Sequence, residues 1–286
     1  MIAEVIAQKA KHEAPVPQFV REDIHVLVRQ AIWTYNFMFY LHAEDRLEAD
    51  RSWKNVYTFV ALPLVRNMID CLFNITLILQ DPRPNGARFR LSGFKRMQAA
   101  IEEDAQRYGG QAEFDEWVAK RRDALDISVR SCGFKMSDVH AAKDWPLLGS
   151  YAKTLGPGAT STLHQQFLKT FLYGHWRQYS SIAHATFAGL ADIALCYVED
   201  SLPIEVRSKI DEDYPVIVGT HLARAAAILL CIVTELQAYF KFDDSGAHIN
   251  ERIHQMWEAL MPLFDVRELY DEHYQQLMKN RGINPG

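Results

Sequence analysis

Cysteine is scarce in this sequence, with four in 286 residues and no C-x-x-C pair among them. That spacing argues against a zinc knuckle and a thioredoxin-type redox site. Cys71, Cys196 and Cys231 lie inside apolar stretches, where a thiol behaves as a small hydrophobe, and Cys132 adjoins Gly133 at a predicted helix end. The pattern suits a reducing cytoplasm. Positive charge is not in excess either. Lys and Arg number 31 against 36 Asp and Glu, a net charge of −5. The chain as a whole therefore has no attraction for nucleic acid or anionic lipid, and a polyanion site has to be a local patch.

Long uninterrupted apolar runs are missing as well. The stretch 56–79 contains Arg66, Asn67, Asp70 and Asn74, and 225–233 is apolar only between Arg224 and Thr234-Glu235. A membrane span needs about 20 apolar residues, so both are expected to be core helices, with no membrane partner. The opening MIAEVIAQKAKHEAPVP lacks a basic segment followed by an apolar one, so a secretory signal is not expected there. Alternating apolar and polar residues, the mark of strands, are almost absent.

What is present is ordinary globular composition, 49% hydrophobic and 23% charged, with apolar residues recurring at helical spacing. Helices are predicted over 21–50, 53–80, 92–108, 112–131, 146–154, 161–199, 213–242, 247–263 and 265–281. The second is apolar nearly all round and is expected at the centre of the fold, kinked at Pro63. The segment DPRPNG, 81–86, is read as a turn, and a break is expected near Gly174. The predicted fold class is all-α, a large multi-helix bundle forming a single domain over 1–286. Two packed helical lobes, 1–131 and 132–286, are the alternative subdivision.

Three constellations carry candidate chemistry. Arg66, Asp70 and Asn74 recur every four residues, on one stripe of the central helix. Polar groups in such a place are expensive unless paired, so the stripe reads either as a buried ion pair fixing register or as a ligand site in the bundle. Arg177, Ser181 and His184 share one face of a second helix. A histidine titrating near neutral pH can move protons, and an arginine can hold a phosphate. From Trp145 to Ala191 there is no Asp or Glu, while Lys153, Lys169, Arg177, His164, His175 and His184 all fall there. A second acid-free stretch, 82–101, holds Arg83, Arg88, Arg90, Lys95 and Arg96 with Phe89 and Phe94 among them, and reads better as a solvated face than as a nucleic-acid patch.

Third are two E-x-x-H matches, Glu22/His25 and Glu251/His254, the motif of di-iron bundles. Both fall near predicted helix starts in charged surroundings, and the further mid-helix glutamates such a site needs are not evident. No metal is expected. The loop LGPGATST, 155–162, lacks the Gly-Lys-Ser/Thr ending of a phosphate loop and is read as a linker with a helix cap. Glu235, His221 and Arg224, on a late helix, are within conceivable reach of the Arg66/Asp70 stripe.

Two resemblances attach to these residues. The segment from Arg177 to His184 resembles the R-x4-6-H signature of the HEPN superfamily of helical bundles. That resemblance implies a dimeric, metal-independent RNase of the kind found in defence systems, with Arg177 and His184 as its catalytic dyad and an antitoxin or regulatory protein as a candidate partner. The segments LPLVRNMIDCLFNITLILQDP, FDEWVAKRRDAL and YSSIAHATF resemble a family of uncharacterised bacterial helical proteins. Such proteins carry an Arg-x3-acid helix and a later Ser-x2-3-His segment. Arg66/Asp70 and Ser180/His184 occupy those places here, with Asp where Glu is usual.

The expected function is accordingly a cytoplasmic, homodimeric RNase acting on RNA without cofactor. Arg177 and His184 are the catalytic candidates, and Lys169, His175, Tyr179, Ser181, Arg66 and Asp70 the substrate-binding ones. The alternative is a non-enzymatic binding or regulatory protein in which Arg66, Asp70 and His184 only specify the core.

Overall fold

The structure is a computed structural model that describes residues 2–47, 51–154, 163–184, 203–243 and 247–280. It is 87% helical, and no strand occurs among the described residues, so the all-α bundle is the observed fold. In chain order the helices are α1 (Ile2–His12), α2 (Gln18–Leu47), α3 (Arg51–Gln80), α4 (Pro82–Tyr108) and α5 (Ala112–Ser131). Next come α6 (Met136–Ala141), α7 (Leu148–Thr154), α8 (Leu163–Phe167) and α9 (Tyr173–Ala183). The last four are α10 (Ile204–Phe240), α11 (Ile249–Leu260), α12 (Phe264–Leu269) and α13 (Gln275–Asn280). Among the described residues, two single-turn π-helices interrupt the series. One, Leu168–Leu172, joins α8 to α9, and the other, Tyr270–Tyr274, joins α12 to α13.

α3 sits at the centre, packed by α2, α4, α9 and α10. Its residues Leu62, Val65, Met68, Ile69, Leu72, Ile75 and Ile78 are fully enclosed, which is what an apolar surface on several faces demands. Pro63 lies inside it, and the helix carries through the proline without ending. The second half of α10 is buried to a similar degree. By length and composition the stretches Leu62–Gln80 and Val218–Phe240 are apolar enough to cross a membrane, contrary to the sequence reading, but 67% and 72% of these windows are enclosed by other helices. One large core cluster runs from Ile2 to Met278, on both sides of residue 131, and a smaller one joins α4, α5 and α6 through Phe94, Ile101, Val118, Leu125, Val129 and Val139.

Several boundaries differ from the sequence reading. α1 was not expected; Ile2, Ala3, Ile6, Ala7 and Ala10 make a buried face that packs on α2 and α10. The segment 82–86 is the first turn of α4 and not a turn between helices, because proline costs nothing in the first turn, where its missing N–H would have no helical partner. Gly86 lets α4 close on α2, since a Cβ there would stand 2.6 Å from a methyl of Val20. α10 begins at Ile204, directly after Pro203. Gly174 does not break its helix; the irregularity is the π turn just before it. The 155–162 loop, Cys196 and the part of the predicted 161–199 helix beyond residue 184 lie outside the described residues.

Candidate functional site

The polar stripe of α3 meets three side chains from later in the chain. At its inner end the Trp145 indole donates to Asn74 Oδ1 at 2.8 Å. One turn back, the Trp176 indole donates to Asp70 Oδ1 at 3.2 Å. Another turn back, an Nη of Arg66 donates to His184 Nε2 at 3.1 Å, across 118 residues of sequence. Arg66 also lies 3.8 Å from Asp70 Oδ2, and its guanidinium stands over the Trp176 ring at 5.3 Å. The partners run backwards along the chain as α3 runs forwards, so the stripe docks α9 and the segment around Trp145 in one register. Gly149 of α7 is tight against this arrangement, because a Cβ there would come within 3.0 Å of the Trp176 ring.

Exposure of the partners rises along the row, from Trp145 through Trp176 to His184. Trp145 is buried, whereas the side chains of Arg66 and Asp70 are 26% and 40% exposed and His184 is exposed. The expectation that Arg66 and Asp70 pair inside the core is therefore corrected. The polar stripe falls on a partly solvent-facing edge of the otherwise largely enclosed stretch 62–79. Partial burial still raises the Asp70 carboxyl above the ordinary range, with Arg66 and the Trp176 N–H pulling the other way. His184 follows the last residue of α9, and its backbone N–H donates to the Ser180 carbonyl.

The other sequence candidates have different places. Arg177 is exposed and reaches back one turn over the Tyr173 ring, 5.8 Å from its centre, while His184 meets Arg66. Side chains lean toward the helix N-terminus, which carries Arg177 away from a histidine seven residues further on. Tyr179 is fully buried, its hydroxyl 2.9 Å from His221 Nδ1, so it forms wall and not surface. Burial, with Arg224 nearby, depresses the His221 imidazole to about 4. His175 packs edge-on to Phe171, Lys169 lies in the π turn, and Ser181 is half-buried. Glu235 does not approach the stripe; it is buried against His273 at 2.9 Å, and Arg224 reaches Gln178.

Three of the five basic residues of the 82–101 stretch, Arg88, Arg90 and Lys95, are engaged by structure. Arg90 pairs with Asp23, Arg88 donates to the Asp144 carbonyl, and Lys95 bonds Asp144 and the Ala142 carbonyl. The E-x-x-H residues are engaged separately. Glu22 faces Arg90, His25 meets the Ala7 carbonyl, Glu251 faces His248, and His254 faces Glu258. Among the described residues no three His, Cys, Asp or Glu side chains converge as metal ligands would. Burial pushes the Cys71 thiol up to about 12 and the Cys231 thiol higher still, so neither is a ready nucleophile at neutral pH.

Trp176 and Trp145 escaped the sequence reading as site residues. The signal available was their number of indole donors against a helix offering Asp70 and Asn74 as acceptors, but spacing alone does not pair them. Comparisons with protein-family models, with curated proteins and with solved structures find no match, so the functional reading rests on this geometry.

Proposed function

We propose that the chain is an RNA-cleaving protein whose working pair is Arg66 and His184. The observation that carries this is the 3.1 Å contact between the Arg66 guanidinium and His184 Nε2 at a solvent-facing edge. Once the guanidinium turns onto a phosphate oxygen, His184 Nε2 is free to accept a proton from a ribose 2′-hydroxyl as that oxygen attacks the adjacent phosphorus. The bond from phosphorus to the 5′-oxygen then breaks, and the leaving oxygen takes up a proton from solvent water, to which the imidazolium returns its own. The products are a 2′,3′-cyclic phosphate and a 5′-hydroxyl. Arg66 offsets the charge that builds on the phosphorane oxygens, the role the sequence alone gave to Arg177. Asp70 and Trp176 position Arg66, and the absence of carboxylates in the α9 segment keeps its face open to a phosphate. A homodimer in the cytoplasm, bringing two such pairs together, is part of the same proposal.

A second reading is favoured by the row itself. Asn74–Trp145 and Asp70–Trp176 are structural anchors, and Arg66–His184 would be a third, with no chemistry of its own. Incubation of the purified protein with total RNA in EDTA separates the two. Cleavage leaving cyclic phosphate ends, lost in His184→Ala without a change in melting temperature, is the expected result. Intact RNA with wild-type protein, or unfolding of His184→Ala, leaves the structural reading.

A further inference from the structure

A cleft of about 760 Å³ opens between the start of α9 and the α12–α13 segment, and its chemistry is unlike that of the Arg66–His184 edge. Each wall contains one of the two π turns. A π turn adds a residue to one helical turn and re-aims the side chains around it, and such turns are frequent at functional sites. Here Phe167 immediately precedes the first, Phe171 lies within it, and His273 lies within the second.

The floor is rigid. The Phe167 ring stacks on the His273 imidazole with centres 4.1 Å apart and planes 8° from parallel. His273 is in turn held by Glu235 at 2.9 Å, and both are almost fully buried. Phe171 and the His175 ring pack edge to face beside them. Besides the His175 and His273 rings, the polar groups of the lining are carboxylates and amides. Glu268 and Glu272 stand one helical turn apart on the exposed rim, with Gln166, Gln178 and Gln276 around them; neither Lys nor Arg is among the described lining residues, and Arg224 reaches the cleft only through Gln178 Oε1.

We infer that this cleft binds a small organic cation, an amine or amidine carried on a flat or apolar body. Its volume is in the range of small-molecule sites, roughly 300–1,000 Å³. The half-buried Phe171, backed by Phe167, takes the apolar body and offers a ring face to positive charge. The two rim carboxylates, with amide oxygens beside them, accept the N–H donors of the cationic group. The same carboxylates repel phosphate, so the cleft is separate in chemistry from the RNA edge and shares no residue with Arg66 and His184.

Benzamidine is the probe, a planar amidinium on a phenyl ring, with neutral benzamide as its match in shape. Isothermal titration of each into the full chain reads the site directly. Saturable binding of benzamidine is expected, with benzamide weaker by about tenfold, the factor that one charge-assisted contact confers. Glu272→Gln and Glu268→Gln change exposed side chains, so they are expected to fold as wild type does, and each lowers benzamidine affinity about tenfold while leaving benzamide unchanged. Phe171→Ala weakens both compounds. No saturable binding of benzamidine up to about 10 mM, above the millimolar affinities of weak ligands, overturns the inference. Equal binding of the two compounds overturns it too, as does indifference of benzamidine to both glutamate substitutions. None of these outcomes depends on RNA cleavage.

Discussion

His221 and His184 sit on neighbouring elements and illustrate how surroundings divide one residue type into two roles. His221 is enclosed, faces the Tyr179 hydroxyl, and is depressed from 6.5 to about 4 by burial and by Arg224. It is neutral in the fold at any pH well above 4. An unfolded chain protonates it near 6.5, so its contribution to stability is complete above that pH and is lost as pH falls from 6.5 to 4. The full loss is on the order of 3 kcal/mol. Asp23 runs the other way. Burial raises its carboxyl to about 6 against the pull of Arg90, and the stability it adds when protonated disappears as pH rises from 3.8 through 6. The comparison of wild type with His221→Gln isolates the histidine. Denaturant titrations at pH 7 and pH 4.5 are expected to show a smaller acid loss in the variant. An equal loss in both proteins would show that His221 titrates normally.

Along α3 the substitutions are expected to form a gradient. Asn74→Ala leaves the indole N–H of buried Trp145 without its acceptor and costs about 1–3 kcal/mol. Asp70→Ala removes a half-exposed partner of Arg66 and Trp176 and costs about 1 kcal/mol, well short of the several that a fully buried pair would lose. His184→Ala, on an exposed side chain, leaves stability within about 0.5 kcal/mol of wild type. RNA cleavage is expected to fail in the opposite order, most at His184 and least at Asn74. Thermal melts and cleavage rates on the same three variants test this, and parallel losses in both would mark the whole row as structural. The long helices were legible because their apolar residues recur at 3.6 spacing over many turns, as in α3 and α5. α1 was not, because eleven residues hold little more than one apolar stripe of Ile and Ala. The π turns were invisible, since Leu168–Leu172 and Tyr270–Tyr274 have ordinary helical composition and become π only through packing. Arg66, Asp70 and His184 were singled out as residue types in the sequence. That Arg66, and not Arg177, meets His184 depends on how α9 docks on α3, and no local spacing encodes that.

At the scale of the molecule, a single large core reaches from the first helix to the last, and α1 closes one side of it against α2, α10 and α11. Ile6 is fully enclosed there, so Ile6→Ala is expected to cost about 2–5 kcal/mol although it lies near the chain start. A chemical-denaturation midpoint unmoved from wild type would show that α1 is dispensable. The core also presents two unlike surfaces on helices that flank it. One is the Arg66–His184 edge, where His184 comes from a segment free of carboxylates and Asp70 flanks Arg66; the other is the acidic, aromatic-floored cleft between the π turns. A net charge of −5 spread over the chain says nothing of either, because each is a local arrangement.

The central claim is that Arg66 and His184 work together on a phosphodiester, and the most direct measurement sets Arg66→Ala against Arg177→Ala. Cleavage of one defined RNA in EDTA is followed for both variants, with melting curves beside the rates. The account predicts a fall of at least about 100-fold for Arg66→Ala, the scale of lost transition-state charge stabilisation. It predicts a change of a few-fold or less for Arg177→Ala, whose side chain lies over Tyr173 and away from the histidine. A large loss in Arg177→Ala with Arg66→Ala unaffected, or RNA left intact by the wild-type protein, would contradict it.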